Sequence, residues 1–356
     1  MSKSKKIIIA VVVVLIVVAL VGILGFKMWK DQIEKKEAEK NNSSENAIED
    51  IGENEIEEPV IEEKKVEIFK GEDRPIAVMI DNHSGAWPQA GLNKTYLVYE
   101  IIVEGGETRL MALFKGQNLD IIGPIRSSRH YFLDYALEND AIYVHYGWSP
   151  KAQSDIKRLS VNNINGIFYN KPNFWRINTK YAPHNAVTST KQILSMAKNS
   201  KYRTTSSQKS VLNYVTDEVL LEDGIDATSI KIPHSYLQTV QYKYDEETKR
   251  YTRYARGKLQ KDYSTGESIT TKNIIIEFVN NSRLQDGSKK DRQDLHNIGT
   301  FDGYYITNGK AIKIKCTKNA RKEKTEYKDL EGNEINVNDG NTWINICPKN
   351  AKVVIE

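Results

Sequence analysis

The apolar positions of the chain fall into three regimes. Ile7 to Phe26 is an unbroken apolar run, long enough to cross a bilayer as a helix. Residues 31–63 carry few large apolar groups. From about residue 65 onward, short apolar runs alternate with polar breaks. Runs at 75–80, 96–103, 110–114 and 141–146 read as strands, and 131–139, 151–159 and 189–198 read as helices. After residue 210 the pattern turns to hairpins, 239–244 with 250–254 and 303–307 with 311–316. The second pair flanks Asn308-Gly309, two residues that tolerate the positive φ of a tight turn. Runs at 274–279, 335–337 and 342–347 complete the series, with Trp343 as the expected core anchor. The pattern predicts an α+β or α/β chain: a membrane anchor helix over 7–26, an α/β domain over 65–205 and a mostly β domain over 210–356.

Charge sharpens this division. The net +4 is the sum of unlike parts. Residues 31–63 hold thirteen acids against three lysines, whereas residues 64–356 hold 43 basic against 34 acidic side chains. The acidic stretch buries too little to offset its ordering entropy, so residues 27–64 are expected to form a disordered stalk. Lysines lie on both sides of the apolar run, but those after it are interleaved with acids and those in the short tail are not. This favours a signal anchor with residues 1–6 in the cytoplasm and the bulk of the chain outside. A cleaved leader is the alternative, but Val21 to Phe26 offers no small-residue cleavage pattern. The two cysteines, Cys316 and Cys347, form either one bridge or two small buried thiols.

Candidate chemistry centres on Gly123-Pro-Ile-Arg-Ser-Ser-Arg129. A serine cap, a helix N-terminus, Arg126 and Arg129 together suggest an anion pocket, with Ser127 and Ser128 as further contacts. Other polar residues cluster where strands run out: Asp81 to His83, Glu104, Glu107, Arg109, His145 and the pair His184-Asn185. Ligands of open α/β sheets bind at the carboxyl ends of strands, so these residues are expected to share one cleft if the strands are largely parallel. The plainer alternative pairs the arginines with Glu104 and Glu107, makes His145 a wall residue and makes His184-Asn185 a local cap. Glu100 and Glu104 fall on one face of a strand, a spacing that suits acid–base work or an ion pair. No metal-ligand spacing, phosphate loop or serine elbow is present, so neither metal nor cofactor is expected. Tyr242, Tyr244, Tyr251 and Tyr254 on one hairpin, with Lys243, Arg250, Arg253 and Arg256 among them, suit a nucleic acid or glycan face, or ordinary cross-strand packing. An extracytoplasmic location disfavours nucleic acid.

The chain resembles the YerB-like family of bacterial envelope proteins, often lipoproteins, described as an N-terminal and a C-terminal domain of unknown function. The resemblance covers about residues 72–349. It rests on Arg74-Pro-Ile-Ala-Val-Met-Ile-Asp-Asn82, Glu104-Gly-Gly-Glu-Thr-Arg109, the Gly123–Arg129 segment, Pro183-His184-Asn185 and Thr342-Trp343-Ile344. It implies an extracytoplasmic location and carries no catalytic role. The chain departs from the family's lipoproteins in having no N-terminal cysteine for lipidation, so a membrane helix is expected to replace the lipid. The leading expectation is a binding or accessory module for an anionic or glycan ligand of the envelope, with the membrane, wall polymer and other envelope proteins as partners. One alternative is a hydrolase or transferase using Glu104 or His184 with Arg126 and Arg129. Another is a structural partner of membrane proteins.

Overall fold

The computed structural model describes residues 64–356. The tail, the anchor helix and the stalk, apart from residue 64, lie outside the described residues. Among the described residues, no helix is long and apolar enough to cross a membrane. The fold is mixed α/β and mostly strand, with three α-helices among the described residues.

Five strands build the first half of the central sheet: β1 (Ile76–Asp81), β2 (Leu97–Ile102), β3 (Thr108–Phe114), β4 (Ile142–His145) and β5 (Asn163–Asn165). Their spatial order is β2-β3-β1-β4-β5. The sheet does not stop at β2. The chain's last long strand, Thr342–Pro348, pairs with β2 in parallel, and Asn273–Val279 pairs in parallel with it in turn. The hairpin Gly299–Thr307 and Lys310–Lys318 extends the far side, with Asn308 at φ 49° and Gly309 at φ 74° in its turn. The two domains expected over 65–205 and 210–356 therefore share one sheet of eleven strands within one compact unit, Glu63–Glu356. Backbone hydrogen bonding between β2 and Thr342–Pro348 joins them, and short-range pattern carries no signal for such a pairing.

Both faces of this sheet are covered, so most of its strands are apolar throughout. Ala77, Met79, Tyr99, Met111, Ile344 and Ile346 face one layer, formed partly by α1 (Phe132–Glu138) and α2 (Pro150–Arg158). Val78, Ile80, Val98, Ala112, Ile276 and Trp343 face the other. There α3 (Thr190–Asn199) packs beside a second sheet containing Ser229–Pro233, Thr239–Asp245 and Arg250–Ala255. Trp343 is fully buried, as the pattern predicts. The tyrosine-rich hairpin belongs to this packing: Tyr242, Tyr251 and Arg253 are buried in it rather than presented as a binding face. Cys316 and Cys347 are buried free thiols.

One buried ion pair ties the sheets together. Glu100 of β2 meets Arg253 at 2.7 Å, and both side chains are essentially inaccessible. Glu100 also accepts from Thr108 and Asn82, and Arg253 lies over the Trp343 ring. Burial opposes charge on Glu100, but Arg253, then His234, hold its carboxyl below the usual range. Glu100 therefore belongs to the core and does not act alongside Glu104.

Candidate functional site

The strand directions decide where the polar residues gather. β1, β2, β4, β5, Asn273–Val279 and Thr342–Pro348 all run one way, and β3 runs against them. The exits of β1 and β2 and the start of β3 consequently meet at one edge. A cleft of about 360 Å³ opens there, lined by Asp81, His83, Glu104, Glu107, Arg109, Arg126, Arg129 and Lys290, among others. Larger grooves lie elsewhere, among them two of about 780 and 770 Å³ along residues 203–214, and contain none of these side chains.

Asp81 ends β1 and is buried. Its Oδ2 lies 2.7 Å from Nδ1 of His184 and 3.2 Å from Nε of Arg126. A carboxylate only accepts, so the neutral His184 ring carries its proton on Nδ1 and keeps a lone pair on Nε2. His83 has the opposite arrangement. Its Nδ1 accepts from the Gly85 N–H at 3.0 Å, which puts the neutral ring's proton on Nε2, 3.9 Å from Glu107. The two imidazoles stack with centroids 4.3 Å apart and planes 14° apart.

The acids resolve the competition for the arginines. Glu104 takes Arg129, whose Nε and Nη2 both lie 2.6 Å from its Oε1, and stands 4.0 Å from Arg109. Burial works against the Glu104 charge, yet Arg129, and then Arg109, hold its carboxyl below the usual range. Burial, followed by the charge of Arg129, lowers the Arg109 guanidinium to about 10. Glu107 pairs with Arg256, which comes from the second half of the chain. Arg126 remains. Its Nε is near Asp81 but out of hydrogen-bond alignment. Its outer nitrogens have no hydrogen-bond partner among the described residues, and the side chain is 27% exposed in the cleft.

Several expected contacts lie elsewhere. Ser127 and Ser128 do not cap a helix. α1 begins only at Phe132 and has no side-chain cap, and the segment before it is held as extended chain. Ile125 bridges Ile80, and the Arg126 and Ser128 N–H groups donate to Met79 and Gly147 carbonyls, so these two N–H groups are not available to an anion. Serine caps do occur at Ser149 and Ser189, which start α2 and α3. Ser127 Oγ donates to the Tyr146 carbonyl, and Ser128 Oγ accepts from Tyr143. His145 is fully buried, with Nδ1 on the Gly147 carbonyl and Nε2 on Asn163, and burial lowers its pKa to about 4. It is a wall residue outside the cleft. Asn185 clamps its own loop through the Ile177 and Lys180 carbonyls.

Asp81 and His83, from the polar exit of β1, line the cleft. Arg256, Lys290 and Arg292, whose Nε lies 3.8 Å from Glu104, arrive from a distant part of the chain and gave no local signal.

Comparisons with known proteins match most of the described fold. Residues 62–203 match the family model described as "Protein of unknown function (DUF3048) N-terminal domain", and residues 230–344 match that of its C-terminal domain. "Putative lipoprotein YerB" of Bacillus subtilis (strain 168) is 31% identical over 286 residues, covering 78% of this chain and 82% of that protein. The crystal structure of YerB protein from Bacillus subtilis superposes with a TM-score of 0.71 at 29% identity, covering 80% of this chain and 94% of that one. The chain belongs to the YerB family, whose two domains of unknown function (DUF3048) it carries in order.

Proposed function

We propose that this chain is a membrane-held, extracytoplasmic envelope protein whose cleft binds an anionic or glycan ligand through Arg126. The apolar run 7–26, the acid-free tail before it and the description of YerB as a lipoprotein support the location. The observation that carries the ligand reading is the state of Arg126. Glu104 and Glu107 occupy other arginines, whereas the outer nitrogens of Arg126 have no hydrogen-bond partner among the described residues. A guanidinium fork so placed suits a phosphate or carboxylate. Calorimetry on the protein with a panel of wall fragments, phosphates and sugar acids tests it. Binding that is lost in Arg126→Ala supports the reading. Absence of heat at millimolar ligand, or an unchanged affinity in the variant, refutes it.

A second reading rests on the Asp81–His184 pair. An imidazole oriented by a carboxylate, with its far nitrogen unprotonated, has the form of a general base. Asp81 Oδ2 fixes that base and the anion-holding Arg126 to one atom. In this reading the chain is a hydrolase or transferase on envelope polymer, and the base is His184, because Arg129 holds Glu104 ionised and paired. Turnover of model esters or glycosides that is abolished in His184→Gln supports it. Turnover that survives the substitution contradicts it.

A further inference from the structure

The basic excess of residues 64–356 has a single source. Between Asp155 and Asp217 there are ten Lys or Arg and no Asp or Glu. The remainder of 64–356 carries 33 basic against 34 acidic side chains, close to neutral. The fold collects this acid-free segment at one place. It supplies β5, the outermost strand on its side of the sheet. It also supplies α3, which packs in the layer containing Ile164 of β5, and Tyr202, whose hydroxyl donates to the Asn163 carbonyl. Lys171, Arg176, Lys191, Lys198, Lys201 and Lys209 are exposed. Of the ten, only Arg158 and Arg203 pair with a carboxylate among the described residues. Phe168 and Tyr181 stand out among them at 69% and 91% exposure. The same segment delivers His184 to Asp81, which lines the cleft.

We propose that the β5 edge is a binding track for a linear polymer of repeating anionic groups, one of which enters the cleft at Arg126. The inference rests on the anion reading of the cleft and adds that its ligand is a polymer. Several unpaired cations on a neutral background concentrate counter-ions along the edge, and a polyanion replaces them at little cost. The exposed aromatic rings offer apolar faces to the linking units between charges. An anionic bilayer is the weaker occupant. Residues 31–63, which join the apolar run to the folded part, carry about ten net negative charges and repel such a surface.

The test compares binding of tripolyphosphate, long-chain polyphosphate, polyglutamate and phosphatidylglycerol vesicles to the full chain in neutral detergent. Long polyphosphate or polyglutamate is expected to bind at least about tenfold tighter than tripolyphosphate, with an affinity that falls steeply with salt. The triple variant Lys171→Glu, Lys191→Glu, Lys198→Glu, at exposed side chains that line no part of the cleft, is expected to lose that advantage while binding tripolyphosphate as before. The track is overturned if long and short anions bind equally, if the triple variant matches the parent protein on polymer, or if vesicles bind and polymers do not. Polymer binding that is lost in the triple variant, without any tripolyphosphate binding, upholds the track and refutes the cleft reading instead.

Discussion

One carboxylate oxygen, Oδ2 of Asp81, holds both His184 Nδ1 at 2.7 Å and Arg126 Nε at 3.2 Å. The arginine is thereby aimed but not consumed, because its outer nitrogens have no hydrogen-bond partner among the described residues. Arg129, by contrast, spends its fork on Glu104.

The two arginines should therefore fail differently. Arg126→Ala leaves Asp81 its bonds to His184 and the His83 N–H, so it is expected to cost less stability than Arg129→Ala and to abolish anion binding. Arg129→Ala strands a largely buried carboxylate and is expected to cost about 2–4 kcal/mol of stability. Paired melting and binding curves check this, and equal losses of stability in both variants would contradict it.

Removal of one member of the buried Glu100–Arg253 pair leaves the other charged and enclosed. Arg253→Met is expected to destabilise by about 3–5 kcal/mol. The double variant Glu100→Gln, Arg253→Met should recover a substantial part of that. A double-mutant cycle in denaturant reads the coupling directly, and simple additivity would show that the pair contributes nothing as a unit.

A pH dependence comes from Glu277 of Asn273–Val279. Burial, reinforced by the charge of Glu138, pushes its carboxyl up from 4.5 to about 8, and its Oε2 has no partner among the described residues. Between these two values the folded chain holds a proton that the unfolded chain has released. This contribution therefore lowers stability as pH rises through the window, by at most about 1.4 kcal/mol per unit. Glu277→Gln removes the slope, so the variant should exceed the parent protein in stability at pH 8 and approach it near pH 5. Parallel stability curves across that range would refute the assignment.

Cys316 and Cys347 are free and enclosed, and burial raises both thiols well above their ordinary range. A thiol reagent should modify neither in the native protein and both after unfolding. Rapid native labelling, or a single disulfide after denaturation without reductant, would show a different arrangement.

Much of the fold was legible because it is written locally. The apolar runs at 75–80 and 110–114, the Asn308-Gly309 turn and the helices at 150–158 and 190–199 each depend on neighbours within a few residues. The sharing of one sheet by both halves was not legible, since it depends on Val98 meeting Trp343 across 245 positions of chain. The site divides in the same way. Asp81, Glu104, Arg126, Arg129 and His184 were visible as polar residues at strand exits. Ser127 and Ser128 misled, because a serine before a helical run signals a cap only if the intervening backbone is free, and here it is bonded to β1 and to Gly147. His145 misled because a histidine at the end of an apolar strand looks alike whether it faces a cleft or a wall. Arg256 and Arg292, which complete the charge balance, arrive from segments with no sequence relation to the cleft.

The most direct test of the central claim is a crystal structure of the protein grown with phosphate or with a bound wall fragment. The anion is predicted within hydrogen-bond distance of the outer nitrogens of Arg126, with Arg129 still on Glu104 and His184 still on Asp81. A cleft without anion density at saturating ligand, or an anion that draws Arg129 away while Arg126 remains unoccupied, would contradict it.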